Sequence, residues 1–253
     1  MAPPLVKRIP KRLTDAPLLE AVWELRFDGE ESASAGLPGM LLGKFHAAGR
    51  EMRLEEMPLA AVPREVRKTQ ESLRYAPVTA LRSENWAVLI GDRVAALSVA
   101  RPYPGWATFR SRIVELWNWL KETGLTGEPR GFSLKYIDFF PGSPCDTLKL
   151  LSLQVRVGEM VPQAGEIRLQ LPIVFDDHAG LVQILNPVSP GGVPLEAGSS
   201  GLVTDVLINC PFAVGDEADF GQRLDQAKTL CHRVFFSLLR PDTIEARGPI
   251  YED

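Results

Sequence analysis

The chain has 253 residues, of which 45% are hydrophobic and 24% are charged, and it carries a formal net charge of −4. These values are typical of a folded globular protein and exclude a disordered chain. The net negative charge provides no overall positive field that would hold a nucleic-acid backbone. No apolar run approaches the ~18–20 residues that a membrane span needs, so we expect no membrane partner.

The first 17 residues contain four prolines and four cationic side chains, namely Lys7, Arg8, Lys11 and Arg12. Because proline blocks helix formation, we expect an extended segment. The segment also lacks the apolar core of a signal peptide. Its four charges could contact nucleic acid or an acidic partner, or they could simply be solvated.

Residues 18–27 alternate between apolar and polar side chains and predict a half-buried strand. The apolar face of this strand consists of Leu19, Ala21, Trp23, Leu25 and Phe27. Residues 37–48 predict a short helix, although Gly39 and Gly43 weaken its pattern. Residues 50–82 show no clear periodicity.

Two apolar runs around Gly91-Asp92 predict a hairpin over residues 86–99, because these residue types tolerate a positive φ. A helix over 106–122 follows, and Gly124 is its expected end. The apolar stripe of this helix consists of Phe109, Ile113, Leu116, Trp117 and Leu120. A strand over 131–140 has apolar residues on both faces, which indicates a central position in a sheet.

The second half of the chain predicts four strands followed by a long helix. The strands span residues 148–157, 166–175, 181–186 and 202–210, and the helix spans 216–239. The apolar stripe of the helix consists of Phe220, Leu224, Ala227, Leu230, Val234, Phe235 and Leu238. Asp216 is its expected N-cap and Pro241 its expected end. Residues 187–201, rich in Pro, Gly and Ser, predict a mobile loop.

Hairpins followed by one amphipathic helix therefore occur twice along the chain. This order predicts an α+β fold, with a mostly antiparallel sheet and two long amphipathic helices on one face. We expect residues 1–17 to be an extended basic segment and residues 18–253 to form a single α+β domain. The domain could divide into halves at 18–141 and 146–253.

No catalytic or cofactor-binding motif is recognisable. Cys231 and His232 are neighbours on the predicted helix, where successive side chains point about 100° apart, so they do not form a catalytic dyad. No GxSxG, GxGxxG, P-loop or metal-binding His pattern occurs, and we expect neither a metal ion nor a cofactor. The three cysteines form no CxxC pair, which is typical of reduced thiols in a cytoplasmic protein.

Two carboxylates inside apolar strands, Asp138 and Asp205, are the candidate catalytic residues. A carboxylate in mid-strand is unfavourable unless it is solvated or paired. If the two strands are neighbours, the carboxylates could form an acid/base couple. Alternatively, each faces solvent or meets a cation such as Lys135 or Arg168.

Trp119 lies near or beyond the edge of the buried stripe of its helix, beside Arg112, Glu115 and Glu122. A large aromatic side chain among charges has the composition of an interface anchor. Trp119 and Arg112, together with the four N-terminal cations, are the predicted partner-binding residues. The alternative is that Trp119 folds back onto a neighbouring loop such as residues 50–82.

Five short segments share a pattern with known proteins. They are the strand after Pro17, Tyr103-Pro104-Gly105-Trp106, Lys135-Tyr136-Ile137-Asp138, Leu224-Asp225 and the run from Phe235 to Leu239. Together they resemble a sporadically distributed prokaryotic family without an assigned activity, although Lys135 and Asp138 replace that family's usual Arg and Asn. The resemblance implies a single α+β domain without known catalytic residues. Its patchy distribution implies an association with mobile or defence genes.

The sequence favours a non-enzymatic interaction protein, an adaptor or regulatory subunit with a protein partner. The resemblance extends this expectation to a prokaryotic antiviral defence system, for example a CRISPR-associated one. The alternative is a carboxylate-dependent hydrolase or nucleic-acid-processing enzyme that uses Asp138 and Asp205. An enzyme would gather several acidic or histidine side chains in one pocket, whereas an adaptor would expose an apolar patch.

Overall fold

Groups of strands alternate with helices along the chain. The computed structural model of the protein describes residues 8–28, 33–156, 158–159, 166–175, 178–189, 200–212 and 219–252. The strands are β1 (Arg12–Leu13), β2 (Leu18–Asp28), β3 (Arg53–Glu56), β4 (Pro77–Arg82), β5 (Trp86–Gly91), β6 (Val94–Ala100), β7 (Glu128–Pro141), β8 (Ile167–Phe175), β9 (His178–Val188), β10 (Gly201–Pro211) and β11 (Pro249–Ile250). The helices are α1 (Ala33–Ala47), α2 (Arg64–Thr69), α3 (Trp106–Thr123), α4 (Pro144–Leu148), α5 (Phe220–Leu238) and α6 (Pro241–Ala246).

Among the described residues, nine strands form one sheet in the order β3-β4-β5-β6-β2-β7-β10-β9-β8. Strand β1 pairs with β11 in a separate two-stranded sheet. The hairpins β5–β6 and β8–β9 are antiparallel, as are the pairs β2–β6 and β3–β4. The predicted α+β fold with a mostly antiparallel sheet is therefore confirmed.

Strand β2 follows the predicted alternation along its whole length. Its five apolar side chains, Leu19, Ala21, Trp23, Leu25 and Phe27, are at most 3% exposed. The intervening residues are half-buried. Because a strand presents alternate residues to opposite faces, one slip in register would expose this whole set.

Helix α3 buries its whole predicted stripe, whereas α5 buries four of its seven predicted residues and leaves Leu230, Phe235 and Leu238 half-buried. All five stripe residues of α3 are buried, and Gly124 ends the helix in the left-handed conformation at φ 67°. On α5, Leu224 and Val234 are buried as predicted, but Leu230 and Leu238 are only half-buried. Leu230 lies about 80° from the centre of the buried stripe, and Leu238 is the last helical residue.

Two local predictions need correction. The strand predicted over 148–157 is wrong, because helix α4 ends at Leu148 and the backbone that follows bonds to the end of α5, with the Ser152 N–H donating to the Leu238 carbonyl. Only Leu151 makes an isolated bridge, to Leu239. Helix α1 begins at Ala33, four residues before the predicted start at 37, because Ala33 and Leu37 are both buried. The long helix α5 ends at Leu238, before Pro241 as predicted, and Pro241 itself occupies the first turn of α6, where a missing N–H is tolerated.

Some predictions lie outside the described residues. They concern the Asp216 cap and most of the loop 187–201.

The two edge strands of the sheet differ in character. Strand β3 is only four residues long, and three of these are charged. Strand β8 is nine residues long and mostly apolar, with Leu171 and Val174 exposed. Pro172 lies near its middle and pairs with Leu181 of β9.

The chain divides into two compact units that interleave along the sequence. The first comprises Met1–Leu19, Lys135–Ile208 and Gln226–Asp253, and the second comprises Glu20–Leu134 and Asn209–Asp225. The boundaries therefore differ from the predicted halves at 18–141 and 146–253. Within the part of the chain that the structure describes, no helix is long and apolar enough to cross a membrane.

Candidate functional site

A cavity of about 220 Å³ lies in the second unit. We call it the Trp119 cavity. Its walls come from the end of α1 and the residues after it, from β5 and β6, and from the outer side of α3. The lining residues are Phe45, Arg50, Glu51, Met52, Ser83, Trp86, Val88, Leu97, Arg112, Glu115, Leu116 and Trp119. Both Trp119 and Arg112, which the sequence singles out, belong to this lining.

Arg50 holds Trp119 in place on one side of the cavity. The guanidinium carbon of Arg50 lies 4.9 Å from the ring centre of Phe45 and 5.0 Å from that of Trp119. The two rings meet edge to face, with centres 5.0 Å apart. Such cation–π and edge-to-face contacts each contribute about 0.5–1.5 kcal/mol. The half-buried indole therefore packs back against α1 and Arg50.

Glu115 links the two arginines of the cavity. Arg50 Nη2 lies 2.7 Å from Glu115 Oε1, and Arg112 Nη1 lies 3.8 Å from Glu115 Oε2. The Arg112 guanidinium also lies over the Trp86 ring, 5.7 Å from its centre. The carboxylate of Glu115 is therefore paired with both Arg50 and Arg112, and each of these guanidinium groups lies over a tryptophan ring.

One polar atom of Arg50 is not satisfied. Its Nη1 is shielded from solvent and has no hydrogen-bond acceptor among the described residues. Buried donors in native proteins nearly always have a partner, and leaving one unpaired is unfavourable.

The two candidate catalytic carboxylates do not share a face of the sheet. Gly142 donates its backbone N–H to the Ser200 carbonyl at 3.1 Å, which fixes the antiparallel register of β7 and β10. In this register Asp138 lies opposite Thr204, so Asp205, the next residue along β10, points to the other face.

The surroundings of the two carboxylates differ accordingly. Asp138 is 4% exposed. Asp205 lies 3.9 Å from Lys135 Nζ, which is the ion pair that the sequence offered as the alternative to catalysis. The geometry therefore does not make these residues an acid/base couple.

Two of the four N-terminal cations, Arg8 and Lys11, are engaged in contacts within the first unit. Lys7 lies outside the described residues. Arg8 donates to the Glu252 carbonyl and lies over the Tyr251 ring, and Lys11 Nζ lies 2.9 Å from Glu252 Oε1. The hydrogen bond from Lys11 lowers the pKa of Glu252. Arg12 is an exposed residue of β1.

The nucleophile candidates are separated as helix geometry predicts. Cys231 is buried with its Sγ 4.0 Å from the Val206 carbonyl oxygen, whereas His232 Nε2 lies 3.2 Å from that of Lys11. Burial raises the pKa of Cys210 to about 12, so this thiol stays protonated at neutral pH. Within the described ranges, no three His, Cys, Asp or Glu side chains come together as a metal site.

A second concentration of arginines surrounds Asp28 in the second unit. Arg130 Nε donates to Asp28 at 2.5 Å, and Arg93 and Arg74 lie 3.3 and 3.6 Å from it. The bond from Arg130 is the largest cause of the lowered pKa of Asp28, and the charges of Arg93 and Arg74 add to it. The arginines come from three separate segments, so this arrangement ties those segments to the end of β2.

Sequence patterns identify only part of the Trp119 cavity. Trp119 and Arg112 are recognisable because an aromatic residue lies among charges on a helix. Phe45, Arg50 and Trp86 come from other elements, and their approach to α3 depends on tertiary packing. Trp86 carried a signal as a large aromatic residue at the start of a predicted strand, and Phe45 carried one as an apolar residue of the helix predicted over 37–48.

No family model matches the chain, and none of the characterised proteins compared with it is similar in sequence.

Proposed function

We propose that the chain is a non-enzymatic adaptor or regulatory subunit that binds a protein partner through the Trp119 cavity. The observation that carries the proposal is a small concave site whose walls include three aromatic and two arginine side chains. Trp and Arg are enriched among the residues that dominate binding energy at protein interfaces, and such residues cluster in well-packed pockets.

The size of the cavity favours a side chain over a substrate or cofactor. Sites for small molecules and cofactors usually enclose about 300–1,000 Å³. The Trp119 cavity encloses about 220 Å³, which suits a single inserted group. A partner that anchors one residue here would gain the remaining contacts from the surrounding surface.

The enzymatic alternative has less support. Asp138 and Asp205 face opposite sides of the sheet, and the latter is paired with Lys135. The lining of the Trp119 cavity contains two glutamates but no histidine, and Glu115 is paired with Arg50. As a general acid or base, Glu115 would have to act from an ion pair that favours its charged form.

Other parts of the expected function stay proposals. Binding of nucleic acid by the N-terminal cations is disfavoured, because Arg8 and Lys11 already contact Glu252. The three cysteines are free thiols, which suits the reducing cytoplasm. A role in an antiviral defence system rests on the family resemblance alone.

Filling the cavity tests the proposal without removing any existing contact. Ser83→Phe places a ring in the cavity from a lining position, and a melting temperature within a few degrees of the parent's shows that the variant still folds. Tagged parent and variant are purified from the organism that encodes the chain, after chemical crosslinking in cells. We expect the crosslinked partner of the parent to be at least about tenfold depleted with the variant.

Ser72→Phe is the matched control, because it adds the same ring at an exposed position of the same unit. It should retain the partner at the parent level. Retention of the partner by Ser83→Phe, with the cavity filled, would contradict the proposal.

A further inference from the structure

One end of the sheet in the second unit concentrates arginine side chains. Six of them pair with carboxylates there, and we call this set the arginine surface. It consists of Arg26, Arg64, Arg67, Arg74, Arg93 and Arg130. The set is continuous, because the Phe27 N–H donates to the Arg93 carbonyl at 3.1 Å and extends the pairing of β2 with β6 as far as Asp28 and Asp92.

Positive charge exceeds negative charge on the arginine surface. The carboxylates that pair with its six guanidinium groups are those of Glu24, Asp28 and Asp92. Glu128, whose charge acts on Arg130, brings the carboxylates to four. Because the chain as a whole carries a net charge of −4, this local excess sets one surface apart from the rest of the protein. A local positive potential of this kind attracts anions.

The guanidinium groups are both accessible and held in place. The side chains of Arg130 and Arg74 are 65 and 42% exposed. The guanidinium groups of Arg26 and Arg74 lie over the Tyr75 ring, 4.9 and 5.5 Å from its centre. Because these contacts hold the side chains before a ligand arrives, less conformational entropy is lost when a ligand binds.

The distribution of the arginines fits a polyanion better than a single anion. They come from α2, from β2, from the segment before β4, from the turn between β5 and β6, and from β7. A nucleic-acid backbone presents its charges one phosphate at a time along its length, and guanidinium groups bind phosphate oxygens in bidentate geometry. Each guanidinium has five N–H donors, so pairing with one carboxylate leaves donors for a phosphate. The core of a protein interface, in contrast, is depleted of charged side chains.

We infer that the arginine surface binds the phosphate backbone of nucleic acid, without preference for base sequence. Phosphate contacts provide affinity and position but do not read bases. Asp28 and Asp92 act as internal anions that orient the guanidinium groups while the surface is empty. The site goes beyond the proposed function, because its arginines are not among the residues that line the Trp119 cavity.

Fluorescence anisotropy of a labelled oligothymidylate of about 20 nucleotides, titrated with the full chain, measures this binding. The double variant Arg74→Gln/Arg130→Gln removes two exposed charges and leaves Arg93 to pair with Asp28. We expect it to bind the oligonucleotide at least about tenfold more weakly than the parent at low salt. The slope of log Kd against log salt concentration should also become shallower by about 1.4, the value for two phosphate contacts on a single strand.

Arg53→Gln/Arg82→Gln is the matched control. These two arginines also share one carboxylate, that of Glu55, and their side chains are 78 and 45% exposed. The control removes the same charge from the same unit and should bind within about twofold of the parent. Equal weakening by both double variants would overturn the inference. So would a parent that does not bind the oligonucleotide at low salt, or competition by polyglutamate as strong as that by unlabelled oligonucleotide.

Asp28→Asn should change the affinity in the opposite direction. The amide keeps an oxygen acceptor for Arg130 but removes the negative charge that competes with phosphate, so the oligonucleotide should bind about threefold more tightly or better. Glu55→Gln removes the corresponding charge from the control pair and should leave the affinity at the parent level. Thermal melts show that each variant folds. A folded Asp28→Asn protein that binds no more tightly than the parent would assign the arginines around Asp28 to the fold alone and overturn the inference.

Discussion

Trp106 donates its indole N–H to the Asp225 carboxylate, with 3.0 Å between Nε1 and Oδ1. Arg110 Nε lies 2.9 Å from the same oxygen. Trp106 is the first residue of α3 and Asp225 belongs to α5, so one carboxylate joins the two long helices. Both residues belong to the segments on which the family resemblance rests, and their contact gives those segments a structural role.

Removal of this carboxylate should loosen the contact between α3 and α5. We expect Asp225→Ala to lower the free energy of unfolding by about 1–2 kcal/mol, because the partners are partly exposed and retain access to water. Asp225→Asn keeps an acceptor for Trp106 and should lose less. Urea unfolding at neutral pH measures both variants, and equal stability of Asp225→Ala and the parent would show that the contact contributes nothing.

Phe220 lies at the centre of an aromatic cluster in the second unit. Its ring stacks on Trp117 at 4.9 Å and meets Phe132 and Trp23 edge to face at 5.4 and 6.1 Å. Phe220→Ala should therefore cost about 3–5 kcal/mol, the usual loss for a buried aromatic residue. Phe220→Leu, which keeps most of the volume, should cost clearly less. Thermal melts followed by circular dichroism compare them, and a melting temperature close to the parent's for Phe220→Ala would place the ring outside the core.

Asp92, in the turn between β5 and β6, connects α1 and α2. Ser34 Oγ and Arg67 Nε donate to it at 2.5 and 3.0 Å, and its side chain is 13% exposed. Burial alone would raise the pKa of Asp92, but the bonds from Arg67 and Ser34 outweigh it and lower the pKa below 3.8. The ionised carboxylate of Asp92 therefore stabilises the fold fully at pH values above 3.8. This stabilisation is lost as the pH falls through the pKa of Asp92 in the folded state.

Asp92→Asn tests this network. The variant should lose about 1–3 kcal/mol at neutral pH, because Arg67 is left without its anion. Its stability should also fall less steeply than that of the parent between about pH 5 and about pH 3. Chemical unfolding across that range gives both quantities, and parallel curves for the two proteins would exclude Asp92 as a source of the acid sensitivity.

His232 should make the protein less stable in mild acid. Burial, and secondarily the charge of Lys228, lowers the pKa of His232 below 6.5 in the folded state. The imidazole of His232 therefore takes up a proton more readily in the unfolded chain than in the folded protein. The free energy of unfolding is unaffected by this group above about pH 6.5, and it decreases as the pH falls from there toward the pKa of His232 in the folded state. We expect His232→Asn to reduce this decline. His46→Asn, at an exposed position of α1, is the control and should leave the decline unchanged.

The spacing of apolar residues along the sequence predicts those helices and strands that bury one face in the hydrophobic core. The alternation in β2 and the stripe of α3 are read correctly because burial acts on each at a fixed spacing. The segment after α4 misleads, because Leu148, Leu151 and Leu153 resemble a strand. Its backbone instead bonds to the chain at the end of α5, where the Arg240 N–H donates to the Leu150 carbonyl. Such a contact between distant segments leaves no local pattern.

The candidate site could likewise be predicted only in part from the sequence. Trp119 and Arg112 can be identified from one helix, but Arg50 reaches them only because α1 packs beside α3. For Asp138 and Asp205, the residue types are visible in the sequence, whereas the face that each occupies depends on the register of β7 and β10. That register is set by pairing between distant segments, which no local pattern encodes.

The composition of the two edge strands determines where the sheet stops growing. An added strand would find only four residues and three charges on β3. On β8 an added strand would meet apolar side chains, but Pro172 has no backbone N–H to donate to it. Prolines in edge strands typically lie where the missing N–H would point away from the sheet. As far as the described residues extend, neither edge offers a complete row of hydrogen-bonding groups to a neighbouring molecule. Although Leu171 and Val174 are exposed on β8, the sheet is therefore a poor template for fibres of its own copies.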